Sequence, residues 1–399
     1  MNLIVEQRVF GPRSFFASVV SLYLIQILAI DMYAPALPMM QDVFNVSELY
    51  LNSTVFSFLF TSTLAMVFSG PMSDRFGRKP ILVGGCALFE AGSLLCAVSP
   101  NVETLAIARA IEAVGCGTTA TLSGAIVKDS YEGGDLKLAM TLLQSLIIIG
   151  PVIAPFLGSF AIRFIGWRGI FWGLTVGGAI TVALSCLMSE TYDAAVNEGK
   201  NLKTSLATML RDSKMLVSNK SFTSLALFIG VTGIPFFAFI AVSSYILLDD
   251  FQVGYLEYSF IYAGACAANF IAPFVYMALS RTWKTPRIMR LVIVLVAATS
   301  ILLVLVGRMH PVLLLVAFVP YALGEGIARP AAYLVLLDQP PEVVGTASAF
   351  ANFSYGVITA LATVAATFPW PDFTLGLALL AAASAAIATL LYAIGHRGW

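Results

Sequence analysis

Gly70-Pro71-Met72-Ser73-Asp74-Arg75-Phe76-Gly77-Arg78-Lys79 interrupts an otherwise apolar stretch of the chain. One carboxylate, Asp74, stands ahead of three cations, Arg75, Arg78 and Lys79, and glycine and proline punctuate the run. Apolar runs, 53–73 and 80–99, flank it on either side. The pattern reads as a tight glycine turn between two helices, with Asp74 at a helix end, placed to pair with an arginine or with the N-terminus of a neighbouring helix. Such a basic loop between two long apolar runs is expected at a membrane surface, on the side where positive charge collects.

A membrane-spanning helix needs about 20 mainly apolar residues. Working outward from the loop, twelve such runs are expected: 15–37, 53–73, 80–99, 104–126, 138–160, 169–188, 221–246, 258–280, 288–307, 312–336, 343–366 and 373–395. The links are short except for the polar, mixed-charge stretch from Glu190 to Lys220. The expected organisation is a first bundle over 1–189, a linker over 190–220 and a second bundle over 221–399. The fold class is therefore an all-α membrane protein, with twelve transmembrane helices in two six-helix halves. The first run is too long for a cleaved signal peptide and lacks a small-residue cleavage site, so it is expected to remain as a span.

Composition agrees: 59% of the 399 residues are hydrophobic and 11% charged, against roughly 25% charged in soluble domains. A net charge of zero gives no global field for nucleic acid. The cysteines, Cys86, Cys96, Cys116, Cys186 and Cys266, all fall in apolar runs, and their odd count argues against a disulfide framework or a zinc site. The two histidines, His310 and His396, lie near expected helix ends. No metal site and no cofactor are expected, and no Walker phosphate loop occurs. With the N-terminus placed inside, seventeen of the 22 Lys and Arg residues fall in inside segments, and only Arg163, Arg168 and Arg308 fall outside. That bias places both termini in the cytoplasm.

Six ionisable residues fall well inside the expected spans: Asp31, Glu90, Arg109, Glu112, Glu325 and Arg329. Each costs about 2.5–3.5 kcal/mol at a helix centre on insertion scales, so each should face the bundle interior and is a functional candidate. Span 1 runs outward and span 4 inward, which sets Asp31 and Arg109 at similar height in the outer half. Glu112 follows Arg109 by three residues, on the same helix face. Burial disfavours a charged carboxylate and a nearby guanidinium favours it, so a site balanced between the two can exchange a proton. Asp31, with Arg109 and Glu112, is expected to carry proton coupling. Glu325 and Arg329, four apart on span 10, are expected to neutralise each other as a structural pair.

The loop from Gly70 to Lys79 resembles, almost residue for residue, the signature loop of the major facilitator superfamily. The resemblance implies that Asp74 and Arg75 contribute to a charge relay stabilising the outward-facing state, with Gly70, Gly77, Arg78 and Lys79 completing the gating loop. Arg109 to Gly115 is similar to the family's span-4 motif, where a membrane arginine is tied to proton transfer. Many relatives carry glutamine where this chain has Glu112. In span 5, Gly150-Pro151-Val152-Ile153-Ala154-Pro155-Phe156-Leu157-Gly158 resembles the antiporter motif of exporters, with Gly150, Pro151, Pro155 and Gly158 as its marks. Asp31-Met32-Tyr33-Ala34-Pro35-Ala36-Leu37-Pro38 and Gly345-Thr346-Ala347-Ser348-Ala349 look like the bicyclomycin and chloramphenicol resistance subfamily of drug:proton antiporters. Some multidrug members carry a second acid two turns before the span-1 aspartate; Tyr23 stands there in this chain.

The resemblance implies a monomeric, proton-driven exporter of small amphipathic or apolar compounds in a bacterial inner membrane. Its partners would be protons, its small-molecule substrates and the lipid bilayer. A cavity between the halves is expected to be lined by Tyr23, Gln26, Tyr33, Gln144, Ser145, Phe236, Phe237, Phe239 and Asn269, with Pro235 bending span 7. Export of a single metabolite, siderophore or natural product stays open. A proton-coupled importer fits the span-5 motif poorly, and a membrane enzyme has no catalytic constellation to use.

Overall fold

The structure is a computed structural model and describes residues 3–5, 7–192, 211–340 and 343–399. Much of the 190–220 linker, residues 193–210, lies outside the described residues. All the regular structure described is helical. Lipid offers no partner to a backbone N–H or C=O, so a chain of this composition satisfies them within helices. Among the described residues, eleven helices are long and apolar enough to cross a membrane, and the bent helix Gly133–Ile165 makes a twelfth when its two arms count as one span.

We number the spans in chain order: 1, Pro12–Phe44; 2, Glu48–Phe76; 3, Arg78–Ala97; 4, Val102–Ser130; 5, Gly133–Ile165; 6, Trp167–Leu187; 7, Lys220–Asp250; 8, Tyr255–Leu279; 9, Thr285–Val306; 10, Pro311–Leu336; 11, Val344–Ala366; 12, Phe373–Gly395. Many large apolar side chains face outward along them, among them Ile107, Phe160, Phe164, Phe260 and Leu334. Water would make these a liability; lipid makes them the expected exterior.

The chain divides into two compact units, Met1–Asn45 with Ser53–Ala207, and Val46–Asn52 with Thr208–Trp399. Inside the first unit, span 3 packs on spans 4 and 6, and span 1 on span 5. Inside the second, the same pattern recurs: span 9 packs on spans 10 and 12, and span 7 on span 11. This is the internal repetition expected of a transporter assembled from duplicated bundles.

Helix starts carry side-chain caps. Asn101 accepts from the Thr104 amide at span 4, Asn219 from Ser221 and Phe222 at span 7, and Asp372 from Leu375 at span 12. His310 does the same for Val312 at span 10, which accounts for one of the two histidines.

Prolines break three of the spans. Span 1 was expected to stay helical to residue 37, but its first helix ends at Asp31 and a short 3-10 turn, Ala34–Ala36, follows. Pro35 and Pro38 have no N–H to offer the carbonyls of Asp31 and Ala34, so the regular helix stops at the aspartate. Span 5 bends by 41° between 133–146 and 149–165, next to Pro151, which leaves the carbonyl four residues back without a helix partner. In span 7 one helix ends at Thr232 and the next starts at Ile234, with Pro235 in its first turn, as expected of that proline.

Candidate functional site

Span 4 brings Arg109 into the middle of the first unit, where it is 1% exposed, and Glu112 is 0% exposed. One Arg109 terminal nitrogen donates to Glu112 Oε2 at 2.6 Å and to the Ala29 carbonyl of span 1 at 3.3 Å. The guanidinium plane lies over the Phe58 ring at 3.9 Å, with Tyr33 at 4.7 Å and Phe171 at 5.9 Å. A planar, weakly hydrated cation suits such an aromatic enclosure better than an ammonium does. Arg109 Nε is buried without a hydrogen-bond partner, so the guanidinium keeps a donor in reserve inside the unit.

Glu112 is fixed from span 3. Ser93 donates to its Oε1 at 2.8 Å, and the Cys96 thiol approaches Oε2 at 3.9 Å. Span 3 comes this close because of Gly92: a Cβ there would collide with the Glu112 backbone. Asp31, buried at the carboxyl end of its helix, lies two residues beyond the carbonyl that holds Arg109. Tyr33, just after it, shares a 2.8 Å hydrogen bond with Thr54 of span 2. Asp31, Arg109, Glu112 and Tyr33 therefore share one buried neighbourhood.

The span-5 motif closes this neighbourhood. A Cβ at Gly150 would overlap the Ile27 side chain, and one at Gly158 would overlap the Met32 carbonyl oxygen. Gly150 and Gly158 thus seat span 5 against span 1 on both sides of Asp31, while Pro151 and Pro155 lie in the helix between them.

The loop at Gly70–Lys79 differs from expectation in two respects. Residues 70–76 continue the helix of span 2, so the tight turn is Gly77 alone, at φ +93°. Gly70 has open space around it and its carbonyl accepts from Ser73 Oγ. The arginine of the ion-pair network is Arg78, not Arg75. Arg78 bonds Asp74 at 2.5 Å, Asp129 of span 4 at 2.9 Å and Ser73 Oγ at 2.6 Å, while Arg75 is exposed and lies over Phe76. Glu190, just past span 6, accepts from the Arg78 and Lys79 amides at 2.9 and 3.1 Å and so caps the N-terminus of span 3. Replacing Arg78 with alanine is expected to cost about 1 kcal/mol, roughly fivefold between competing states. Arg75→Ala should leave thermal stability and transport near those of the unaltered chain; equal losses in both variants would restore Arg75 to the network.

The expected cavity residues scatter. Tyr23 packs on the cluster around Phe15, Leu22 and Tyr131, and Gln26 is buried. Gln144 is exposed and Ser145 bonds the Leu142 carbonyl in its own helix. Phe236 and Phe237 are partly exposed. Phe239 is no lining residue: it is packed between Tyr262 and Phe318. Asn269 donates to Glu325 at 2.8 Å, and the Tyr355 hydroxyl donates to the other Glu325 oxygen at 2.9 Å. Asn269 of span 8 and Tyr355 of span 11 thus reach the Glu325 carboxylate from other helices, and Arg329 lies over the Tyr355 ring at 4.8 Å. Among the described residues no cluster suited to a metal ion occurs.

Ser93, Phe58, Phe171, Asp129, Glu190 and Tyr355 were not foreseen. Glu190, the first charged residue after span 6, was the one with a signal. Phe58 and Phe171 are two of 28 phenylalanines, and spacing does not single them out.

Residues 19–363 match the family profile described as Major Facilitator Superfamily. The chain is 26% identical over 327 residues to an uncharacterized MFS-type transporter, YdgK, of Bacillus subtilis (strain 168), covering 81% of this chain and 80% of that one. It is 27% identical over 330 residues to the multidrug transporter MdfA of Yersinia pestis bv. Antiqua (strain Angola), covering 81% and 78%. Among solved structures, the peptide transporter POT in complex with sulfate superposes with a TM-score of 0.78 at 17% identity, covering 99% of this chain and 97% of that one. At that identity the likeness concerns the fold.

Proposed function

Because this chain belongs to the major facilitator superfamily, we propose that it exports small amphipathic or apolar compounds in exchange for protons, by alternating access. The observation that carries the reading is the buried constellation of Asp31, Arg109 and Glu112, seated by Gly150 and Gly158 of span 5. The similarity to MdfA supports the substrate class, and the span-1 and span-11 motifs support the bicyclomycin and chloramphenicol resistance subfamily.

In this reading Arg109 is shared. Glu112 holds it at 2.6 Å when Asp31 is protonated. When Asp31 loses its proton, the Nε–H of Arg109 that lacks a partner turns toward it, and the site gains one negative charge that the next proton removes. Proton arrival from outside frees the compound, and proton loss inside restores its site. One charge moved across 100 mV supplies about 2.3 kcal/mol; at roughly 1.4 kcal/mol per decade that sustains about a 50-fold gradient. The proton gradient is the sole energy source, and the chain acts as a monomer in a bacterial inner membrane with both termini in the cytoplasm.

Expression in a drug-sensitive bacterium should raise tolerance to several members of a panel of apolar and amphipathic antibiotics, chloramphenicol included. No gain across the panel, with one cellular metabolite accumulating outside instead, would replace this reading with a dedicated exporter.

A further inference from the structure

The loop before span 3 is balanced from within its own unit: Asp74 and Asp129 hold Arg78, and Glu190 caps the helix start. Span 9 is the counterpart of span 3 in the second unit, packed on spans 10 and 12 as span 3 is on spans 4 and 6. Its approach, from Ser280 to Arg290, carries Arg281, Lys284, Arg287 and Arg290 and no aspartate or glutamate. All four cations are exposed. Among the described residues none of them has a carboxylate partner, and span 9 starts after Lys284 without a side-chain cap. What Asp129 and Glu190 do for span 3, no described side chain does for span 9.

The place of these cations on the helix says which anion fits. Span 9 buries Ile288, Val292 and Val296 against its unit and exposes Arg287, Arg290, Val294 and Ile301. Steps of three, four and seven residues keep the exposed set on one helix face. Val294 and Ile301 are apolar and more than half exposed, at 62% and 59%, a surface suited to acyl chains rather than water. Arg287 and Arg290 crown that stripe at its loop end. Arg287 also lies over the partly buried Trp283 ring at 4.2 Å, and tryptophan marks the membrane–water boundary. Arg290 lies about 8 Å along the helix from Thr285, and its long stem lets the guanidinium rise to headgroup level. A guanidinium fork matches phosphate oxygens in pairs.

We infer that the loop end of span 9 is a binding site for the phosphate of an anionic membrane lipid, held by Arg287 and Arg290 in a field that Arg281 and Lys284 strengthen, with the acyl chains along Val294 and Ile301. A lipid fits better than a free phosphate because the cations and the apolar stripe are continuous on one face; a free anion uses the first and leaves the second. The lipid fastens span 9 at the membrane surface from outside, as Glu190 fastens span 3 from within. The inference does not rest on the transport activity proposed above.

The test uses the purified full chain in phosphatidylcholine vesicles and reads Trp283 fluorescence, taken as the difference between each protein and its own Trp283→Phe partner. Brominated phosphatidylglycerol, which quenches a neighbouring tryptophan, is expected to quench this signal at roughly a tenth of the fraction that brominated phosphatidylcholine needs. Arg287→Gln and Arg290→Gln should each lower that preference about fivefold. Equal quenching by the two lipids would overturn the inference, as would a preference unchanged in both glutamine variants. A preference abolished by inorganic phosphate at constant ionic strength would overturn it too, by giving the cations to a free anion. If neither glutamine variant inserts, the comparison of the two lipids on the unaltered chain decides alone.

Discussion

Arg109→Ala is expected to reduce transport to the background of membranes lacking the protein and to destabilise the first unit by about 3–5 kcal/mol, the usual cost of leaving one member of a buried ion pair behind. The magnitude follows from the surroundings: Glu112 is wholly buried and would keep only Ser93 and a weak thiol contact. The aromatic enclosure of Phe58 and Tyr33 would also lose the cation it faces, worth about 2 kcal/mol in a desolvated setting. Arg109→Lys should recover charge but little transport, since an ammonium cannot bond the Ala29 carbonyl and Glu112 while stacking on Phe58. Adding Glu112→Gln to Arg109→Ala separates stability from function. The double variant should regain most of the thermal stability measured in detergent and none of the transport. Regained transport would show that the pair only fastens spans together.

The second large effect is expected at Asp31. Asp31→Asn fixes the neutral form with nearly unchanged shape, so the protein should still insert and bind compounds but lose the link to protons. Uphill efflux should fall to background, while exchange of compound for compound continues. The location supports this separation. Asp31 closes a helix whose next turn is ruled out by Pro35 and Pro38, and span 5 is pressed against Ile27 and Met32 on either side of it. A change of charge there meets backbone already freed from regular hydrogen bonding and a neighbour in direct contact.

Most of the architecture was legible because lipid imposes one rule, a run of about 20 apolar residues for each crossing. Helix ends were less so. Span 1 was extended through Asp31 although the prolines that stop it were in view, and Gly70 was taken for a turn although helix was available to it. Two four-residue spacings show what else was hidden. Asp74 and Arg78 are four apart and bond, whereas Arg75, next to Asp74, points elsewhere. Glu325 and Arg329 have the same spacing, and there Asn269 of span 8 and Tyr355 of span 11 reach the carboxylate as well. Local periodicity proposes a partner; a side chain from a distant helix joins the same group, and nothing in the local sequence announces that arrival. Arg109 with Glu112 was legible because both partners lie on one helix face. Its enclosure by Phe58 and Phe171 was not, because it is assembled from spans 2 and 6.

The most direct measurement is proton movement driven by compound in sealed vesicles holding the purified chain and an imposed pH gradient, read by a pH-sensitive dye as chloramphenicol is added. The unaltered protein should let the gradient collapse in proportion to the compound added, and Asp31→Asn should leave it standing. A collapse of equal size and rate in both would contradict the assignment of proton exchange to the buried Asp31, Arg109 and Glu112.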